Sequence, residues 1–183
     1  MRLVLAASVG LIAAAAVPAT AFAVDYMSAE QAAQAMFPDA DRFESKQVNL
    51  DAAQLAQLAS LGVRARSARW TVQAAQRGAA TLGYVVVDDV IGKFELITYA
   101  VGIGLDGAVK QLEILSYRES HGHEIRLAGW RRQFVGKTSA APMRNGDDIA
   151  NISGATLSCN HVTEGVKRIV TVVEFAKRAG ALS

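Results

Sequence analysis

The spacing of apolar residues changes along the chain, and the first change separates residues 24–67 from the residues after them. Residues 28–37 predict a short helix with Ser28 as its N-cap, because a serine hydroxyl accepts from the free N–H groups of a first turn. Residues 51–61 predict a second helix, which Asp51 can cap and Gly62 would end. We therefore expect residues 24–67 to be a segment of helices and extended chain.

Between residues 68 and 117 the apolar positions recur with a period of two, and turn-forming residues interrupt them at short intervals. This pattern predicts an antiparallel β-meander of about four strands. The strands would span residues 68–75, 80–89, 94–103 and 108–117. Asp106-Gly107 is the firmest of the predicted turns, because both residues tolerate the positive φ that a tight hairpin needs.

Helical spacing returns in the second half of the chain. Residues 125–135 predict a helix in which Ile125, Trp130 and Phe134 share one face. The last stretch has the clearest period of all. Its apolar stripe consists of Val162, Val166, Ile169, Val170, Val173 and Ala176. A long C-terminal helix is therefore predicted, with Gly180 as its stop.

Two pairs of opposite charge are spaced to support this terminal helix from its other side. They are Glu164 with Arg168 and Glu174 with Arg178, each four residues apart. The elements together predict an α+β fold, in which the antiparallel meander packs with helices. We place the sheet and the terminal helix in one domain over residues 68–183.

The first 23 residues predict an export signal. Met1-Arg2 precedes an apolar run over residues 3–17, and Ala21-Phe22-Ala23 offers a cleavage site of small residues. The run is shorter than the roughly 20 residues that a membrane-spanning helix needs. We expect cleavage after Ala23 and a periplasmic or otherwise exported protein, with an uncleaved membrane anchor as the alternative.

Charge and cysteine content narrow the classes of partner and of site. The chain has 19 Lys and Arg residues against 17 Asp and Glu residues, a formal net charge of +2, and no long basic run. Nucleic-acid binding is not expected, because it depends on clustered positive charge. Cys159 is the only cysteine, which excludes an internal disulfide and a multi-cysteine zinc site.

Residues 152–160 form a loop of small and hydroxyl-bearing residues that leads into the terminal helix. The start of a helix presents unpaired N–H groups at the positive end of its dipole, which suits a phosphate. Gly154 allows close approach of such a ligand, and Ser153, Thr156 and Ser158 supply hydroxyls. The residues therefore predict an anion site, or more simply a helix capped by Thr156 or Ser158.

The motif Ser153-Gly154-Ala155-Thr156-Leu157-Ser158 resembles the flavinylation motif of FMN-binding domains. Such domains occur in the G subunit of Rnf electron-transport complexes and in the C subunit of the sodium-pumping NADH:quinone oxidoreductase. A Trp-x-x-x-Phe-x-Gly-Lys segment at residues 130–137 also follows the family pattern. The export signal, the meander and the terminal helix come in the family order, and the resemblance covers residues 79–176.

The resemblance implies covalent FMN. In that family the threonine after Gly-Ala is joined to the FMN phosphate through a phosphoester bond, by a separate flavin transferase of the ApbE type. This role falls on Thr156, with the other motif residues as cofactor contacts. The implied function is an electron-transfer carrier that serves membrane-bound or haem-containing redox partners, since flavin chemistry belongs to the cofactor.

Two positions depart from the family pattern. Many members have an acidic residue three positions before the motif serine, where this chain has Ala150 with Asp148 displaced upstream. Flavin attachment would then be slower or would depend on Asp148. Many members also carry a Glu-Thr-Pro-Gly-like loop near the flavin, and here that loop begins with Glu119-Ser120. Both residues are expected to contact the cofactor.

Other functions and roles stay open at this stage. The chain could be a small flavin-dependent reductase, or a module that binds FMN or a metal noncovalently. A metal would use His121 and His123. Trp130 and Phe134 could stack on the flavin ring, although their spacing is more typical of a core. Cys159 near a helix start could be reactive, although a packed thiol is the commoner case.

Overall fold

The computed structural model describes residues 24–182, and the export signal predicted over residues 1–23 lies outside them. Within the described part of the chain, none of the helices combines the length and the apolar composition that a bilayer crossing requires.

Two short helices near the start of the described chain have the predicted caps. They are α1 (Ala29–Met36) and α2 (Ala52–Ser60), with Ser28 and Asp51 as their N-caps. Each cap side chain accepts from the backbone N–H three residues later, and a glutamine at that later position accepts from the N–H of the cap. This reciprocal pair of bonds fixes the start of both helices and confirms the sequence prediction.

The sheet contains the predicted meander and two further strands. Its strands are β1 (Val24–Asp25), β2 (Arg42–Asn49), β3 (Arg69–Arg77), β4 (Ala80–Ile91), β5 (Leu96–Gly104) and β6 (Val109–Tyr117). Their spatial order is β1-β6-β5-β4-β3-β2, and every neighbouring pair is antiparallel. Strands β3 to β6 confirm the meander, so the sheet has more strands than the about four predicted.

Strand β2 escaped sequence prediction because its side chains do not alternate cleanly. Only Val48 is buried in it, and Arg42, Glu44 and Lys46 are charged. An exposed edge strand of this kind resists pairing with other chains, since its charges interrupt the apolar pattern. It pairs with β3 along its whole length, from Arg42 opposite Gln76 to Asn49 opposite Arg69.

The prediction of a single helix over residues 125–135 is wrong. The structure has three short turns there: a 3₁₀ turn at His123–Arg126, α3 at Ala128–Arg131 and a second 3₁₀ turn at Arg132–Phe134. Leu127 breaks the helix because its backbone is extended, with φ −66° and ψ 137°. Ile125, Trp130 and Phe134 are nevertheless all buried, as their shared face predicted.

The long terminal helix, α4 (Thr156–Arg178), covers one face of the sheet, and α1 covers the other. Every residue of the predicted apolar stripe is buried. On the opposite face Met36 lies so close to Gly102 that a Cβ there would come within 2.9 Å of its Sδ. The predicted core contacts of α4 are therefore confirmed, and α1 packs closely over a glycine.

One of the two predicted charge pairs on α4 has a different partner. Arg178 pairs with Glu174 as expected, but Arg168 bonds to Asp88 of β4, with Nη2 2.9 Å from Oδ2. Arg168 is only 8% exposed, because it lies on the side of α4 that faces the sheet. Tyr99 Oη donates to the same Asp88 oxygen at 3.2 Å. The charged group thus attaches the helix to the sheet.

Candidate functional site

The start of α4 has no side-chain cap. Ala155 occupies the N-cap position, Gly154 before it has φ 82°, and Thr156 is the first helical residue. Ser158 is buried, with Oγ 3.2 Å from Tyr117 Oη, so neither hydroxyl caps the helix and the simpler interpretation of the motif is wrong. Among residues 24–182, no protein group accepts from the N–H groups of Thr156, Leu157 and Ser158.

A groove of about 360 Å³ lies beside this helix start. Its walls are Lys93, Phe94, Glu119, Ser120, His121, Gly154, Ala155, Thr156, Leu157 and Ser158. The fold therefore brings the motif together with the Glu119-Ser120 loop, as the sequence predicted. Ser153 is exposed and does not line the groove. Lys93 and Phe94 were missed, because they lie more than fifty residues from the motif in a turn between two strands.

Glu119 holds this turn in place instead of pointing freely into the groove. Its Oε1 accepts from the backbone N–H groups of Lys93, Phe94 (2.6 Å) and Glu95 (3.0 Å). Burial alone would raise the pKa of Glu119, but the three N–H donors and nearby Lys93 lower it. The carboxylate is therefore ionised at neutral pH, and it positions Lys93 and Phe94 on the groove.

Apolar side chains are exposed around the groove. Phe94 is 75% exposed and Leu157 is 44% exposed, and both line it. Ile91 and Leu96 at the base of the same hairpin are also exposed. Such a concentration on the surface of a small protein typically marks a binding site. Lys93 Nζ lies 4.8 Å from the centre of the Phe94 ring, which adds positive charge to this side.

The floor of the groove depends on close backbone packing. Tyr117 Oη donates to the carbonyl of His121 at 2.5 Å, and burial raises the pKa of Tyr117. Gly122 has φ 88°, and a Cβ on it would overlap Ala155 and come within 2.6 Å of Tyr117 Oη. The loop after β6 thus fits against the motif only with glycine at this position.

Thr156 is exposed, and within residues 24–182 its hydroxyl has one protein partner, Asn151. Asn151 Nδ2 donates to Thr156 Oγ1 at 3.2 Å. Sequence reasoning missed this residue, because the family pattern directed attention to the acidic position at Ala150. Ala150 itself contributes only its carbonyl, which accepts from Trp130 Nε1 at 2.8 Å.

Asp148, the acid displaced upstream, is occupied elsewhere. Its carboxylate accepts from Lys137 Nζ at 2.7 Å and from the backbone N–H groups of Arg144 (2.6 Å) and Met143 (3.1 Å). Burial would raise its pKa, but these donors lower it to about 2. Asp148 therefore stabilises the loop before the motif and makes no hydrogen bond to Thr156.

The three histidines make separate contacts. His121 Nδ1 lies 2.9 Å from Ser120 Oγ, His123 packs edge-on against Tyr117, and His161 Nδ1 lies 2.5 Å from the carbonyl of Ile91. Within residues 24–182, no three histidine, cysteine or acidic side chains are grouped as a metal site would require. The geometry thus gives the metal-binding alternative no support.

The other candidate residues belong to the core. Cys159 is buried and its pKa is raised by burial, which favours the packed thiol over a reactive one. Trp130 and Phe134 are buried against each other, with ring centres 5.1 Å apart, and neither lines the groove. Their positions favour core packing over stacking on a flavin.

Comparison with known proteins supports the family resemblance. Residues 92–171 match the FMN-binding domain family. This segment is therefore similar to an FMN-binding domain. Over 107 residues it is also 33% identical to the G subunit of the proton-translocating ferredoxin:NAD(+) oxidoreductase complex of Clostridium ljungdahlii. That match covers 55% of this chain and 58% of the relative, so the chain spans little more than half the length of the relative.

The groove has features that suit both ends of FMN. The free N–H groups at the start of α4 and the hydroxyl of Thr156 suit a phosphate. A Cβ on Gly154 would meet no heavy atom within 4 Å, so the approach to this end is open. The exposed surfaces of Phe94 and Leu157 suit an apolar ring. The residues present therefore fit the cofactor of the family.

Proposed function

We propose that this protein is an exported electron-transfer carrier that holds FMN covalently on Thr156. One observation carries the proposal. Thr156 presents an exposed hydroxyl at the first position of α4, in a groove within the segment that matches the FMN-binding domain family. The export signal predicted over residues 1–23 and the relative, which its name describes as a subunit of an oxidoreductase complex, support the rest.

Thr156 would react once, during maturation, and act as an anchor afterwards. A flavin transferase of the ApbE type would form the phosphoester between Thr156 Oγ1 and the FMN phosphate. The N–H groups of the first turn of α4 and the ammonium group of Lys93 would then stabilise the phosphate charge. Bound FMN supplies one- and two-electron redox chemistry, and the chain orients it.

Export explains why a covalent bond would be useful. A noncovalent FMN that dissociates outside the cytoplasm would have to be replaced across a membrane. The partners that we propose are membrane-bound or haem-containing redox proteins, which would approach the open side of the groove near Phe94. No residue of the groove is needed as a nucleophile during turnover, so we favour a carrier over a stand-alone reductase.

Co-expression with an ApbE-type transferase tests the attachment. We expect the denatured protein to show flavin fluorescence in a gel and to gain the mass of one FMN. Thr156→Ala should abolish both signals, because Thr156 is the exposed hydroxyl residue of the motif that lines the groove, whereas Ser120, also exposed there, lies on the loop after β6 with its Oγ 2.9 Å from His121 Nδ1.

Ser153→Ala is the matched control, since Ser153 is an exposed hydroxyl in the same loop that lies outside the groove. It should keep full incorporation. An intact mass without the FMN increment, in the presence of a transferase that modifies another substrate, would refute covalent attachment. Loss of the signal in Ser153→Ala with retention in Thr156→Ala would show that Ser153 carries the FMN and would refute attachment to Thr156.

A further inference from the structure

Three asparagines form a chain of hydrogen bonds that ends on the hydroxyl of Thr156. Asn145 Nδ2 donates to Asn160 Oδ1 of α4 at 2.7 Å and to Asn151 Oδ1 at 2.9 Å. Asn151 Nδ2 then donates to Thr156 Oγ1 at 3.2 Å. In this arrangement Asn145 donates through its Nδ2 in both bonds. Its Oδ1 is buried and has no partner within residues 24–182.

This series of hydrogen bonds determines where the proton of the Thr156 hydroxyl points. Oγ1 accepts from Asn151, so its own proton is directed away from the protein, towards solvent and any docked enzyme. Donation of an N–H to an oxygen also stabilises negative charge that develops on it. In the described part of the chain no carboxylate bonds to the Thr156 hydroxyl, since Asp148 is bonded to Lys137 and the backbone, and residue 150 is alanine.

We propose that Asn151 is a positioning residue for flavin attachment, and that Asn145 sets its orientation. The inference rests on the proposed function, since it concerns the maturation of Thr156. Asn151 would hold the hydroxyl with its proton free for a base on the transferase. Asn145, fixed to α4 through Asn160, would keep the amide of Asn151 from turning its oxygen towards Thr156.

The reaction that Asn151 would assist needs an activated FMN, in which the phosphate carries a leaving group. Flavin adenine dinucleotide is such a compound. Thr156 Oγ1 forms a bond to the phosphorus of the FMN half, and the pyrophosphate P–O bond breaks. Adenosine monophosphate leaves with the electron pair, and the hydroxyl proton passes to the base on the transferase. No group is oxidised or reduced in this step.

The initial rate of flavin incorporation tests the proposal. Flavin-free protein is incubated with purified ApbE-type transferase and flavin adenine dinucleotide, and covalent flavin is measured by in-gel fluorescence and intact mass. We expect Asn151→Ala to slow incorporation about fivefold, the effect of losing a single neutral hydrogen bond. Asn49→Ala is the control, since Asn49 is an exposed asparagine on β2 whose side chain makes no hydrogen bond within residues 24–182.

The Asn145→Asp variant separates an effect on the orientation of the Asn151 amide from an effect on the stability of the fold. Aspartate has the same shape but cannot donate to Asn151, so the Asn151 amide should turn and donate to it. Oδ1 of Asn151 would then face Thr156. Incorporation should slow about fivefold although residue 145 does not contact Thr156. In the Asn151→Ala background, the same substitution should have no further effect, which a purely structural role would not produce.

The outcomes distinguish this inference from the proposed function. Normal rates in Asn151→Ala, with no incorporation in Thr156→Ala, would overturn the positioning role and leave the site of attachment intact. Additive losses in the double variant would overturn the orienting role of Asn145. No incorporation in the wild type, with a transferase active on another substrate, would overturn both proposals. Each variant should unfold at a temperature close to that of Asn49→Ala. Such agreement would show that lower rates do not come from unfolding.

Discussion

At Gly122 the loop after β6 packs directly against Ala155 of the motif at residues 153–158. The φ of Gly122 is 88°, and a Cβ would overlap Ala155. We expect Gly122→Ala to lower the free energy of unfolding by about 2–4 kcal/mol, since steric overlap adds to backbone strain. It should also slow flavin incorporation, because Ala155 precedes Thr156 directly. Urea unfolding and in-gel flavin fluorescence measure the two effects.

Gly107→Ala is the matched control for backbone strain alone. Gly107 has φ 81°, but a Cβ there would meet no heavy atom within 4 Å. Its substitution should cost only about 1 kcal/mol and leave flavin incorporation unchanged. Equal losses in both variants would show that close packing against Ala155 is not what requires glycine at position 122.

At the residue scale, the sequence indicated the motif but not its surroundings. Thr156 and its neighbours could be found because a short, local pattern carries the resemblance. Lys93 and Phe94 could not, because only the folded hairpin brings them to the groove. Glu119 was expected to contact the cofactor, and it does line the groove, but its carboxylate also holds the turn at residues 93–95. Side-chain hydrogen bonds of this kind produce no periodic pattern in the sequence.

The loop between α3 and α4 depends on Asp148. Its carboxylate holds the N–H of Met143, whose φ of 46° is unusual for a residue other than glycine. We expect Asp148→Asn to lower the free energy of unfolding by about 1–2 kcal/mol at pH 7. The folded pKa of about 2 lies below the ordinary value of 3.8, so the stabilisation is present above the ordinary value. It is lost as the pH falls towards 2.

Urea unfolding at pH 7 and at about pH 3 checks this dependence. The difference between the wild type and Asp148→Asn should be smaller at the lower pH. Asp147→Asn is the control, since the Asp147 side chain makes no hydrogen bond or ion pair within the described part of the chain. A difference that stays constant with pH would show that the charge of Asp148 does not stabilise the loop.

At the element scale, prediction succeeded wherever a period was long and unbroken. Strands β3 to β6 each span nine or more residues and are separated by turn residues, and the apolar stripe of α4 extends from Val162 to Ala176. Prediction failed where tertiary contacts determine the backbone conformation. Residues 125–135 have an apolar face but follow three short turns over the sheet, and β2 is a strand because β3 offers it an edge.

The sheet of the whole molecule runs across the boundary predicted at residue 68. Removal of residues 24–67 would delete β1, α1, β2 and α2 and uncover the edges of β3 and β6. It would also expose the buried side chains beneath α1, among them Val85 and Leu115. We expect a protein that starts at Ala68 to lose cooperative unfolding, because burial of this second core contributes to stability.

Thermal unfolding followed by circular dichroism measures that loss. The control is a protein that starts at Asp25, which keeps every element except the first residue of β1. It should unfold in one transition. A single sharp transition in the protein that starts at Ala68 would show that residues 68–183 fold independently.

If FMN is attached to Thr156, the position of this residue in the first turn of α4 limits where electrons can enter and leave the flavin. This helix has 23 residues and is therefore about 34 Å long. A flavin bonded to one end of so rigid an element could not travel to the other. Electrons would then enter and leave through the same small area around Phe94. Donor and acceptor would compete for it and would have to bind in alternation, so excess of either partner should inhibit the transfer between them.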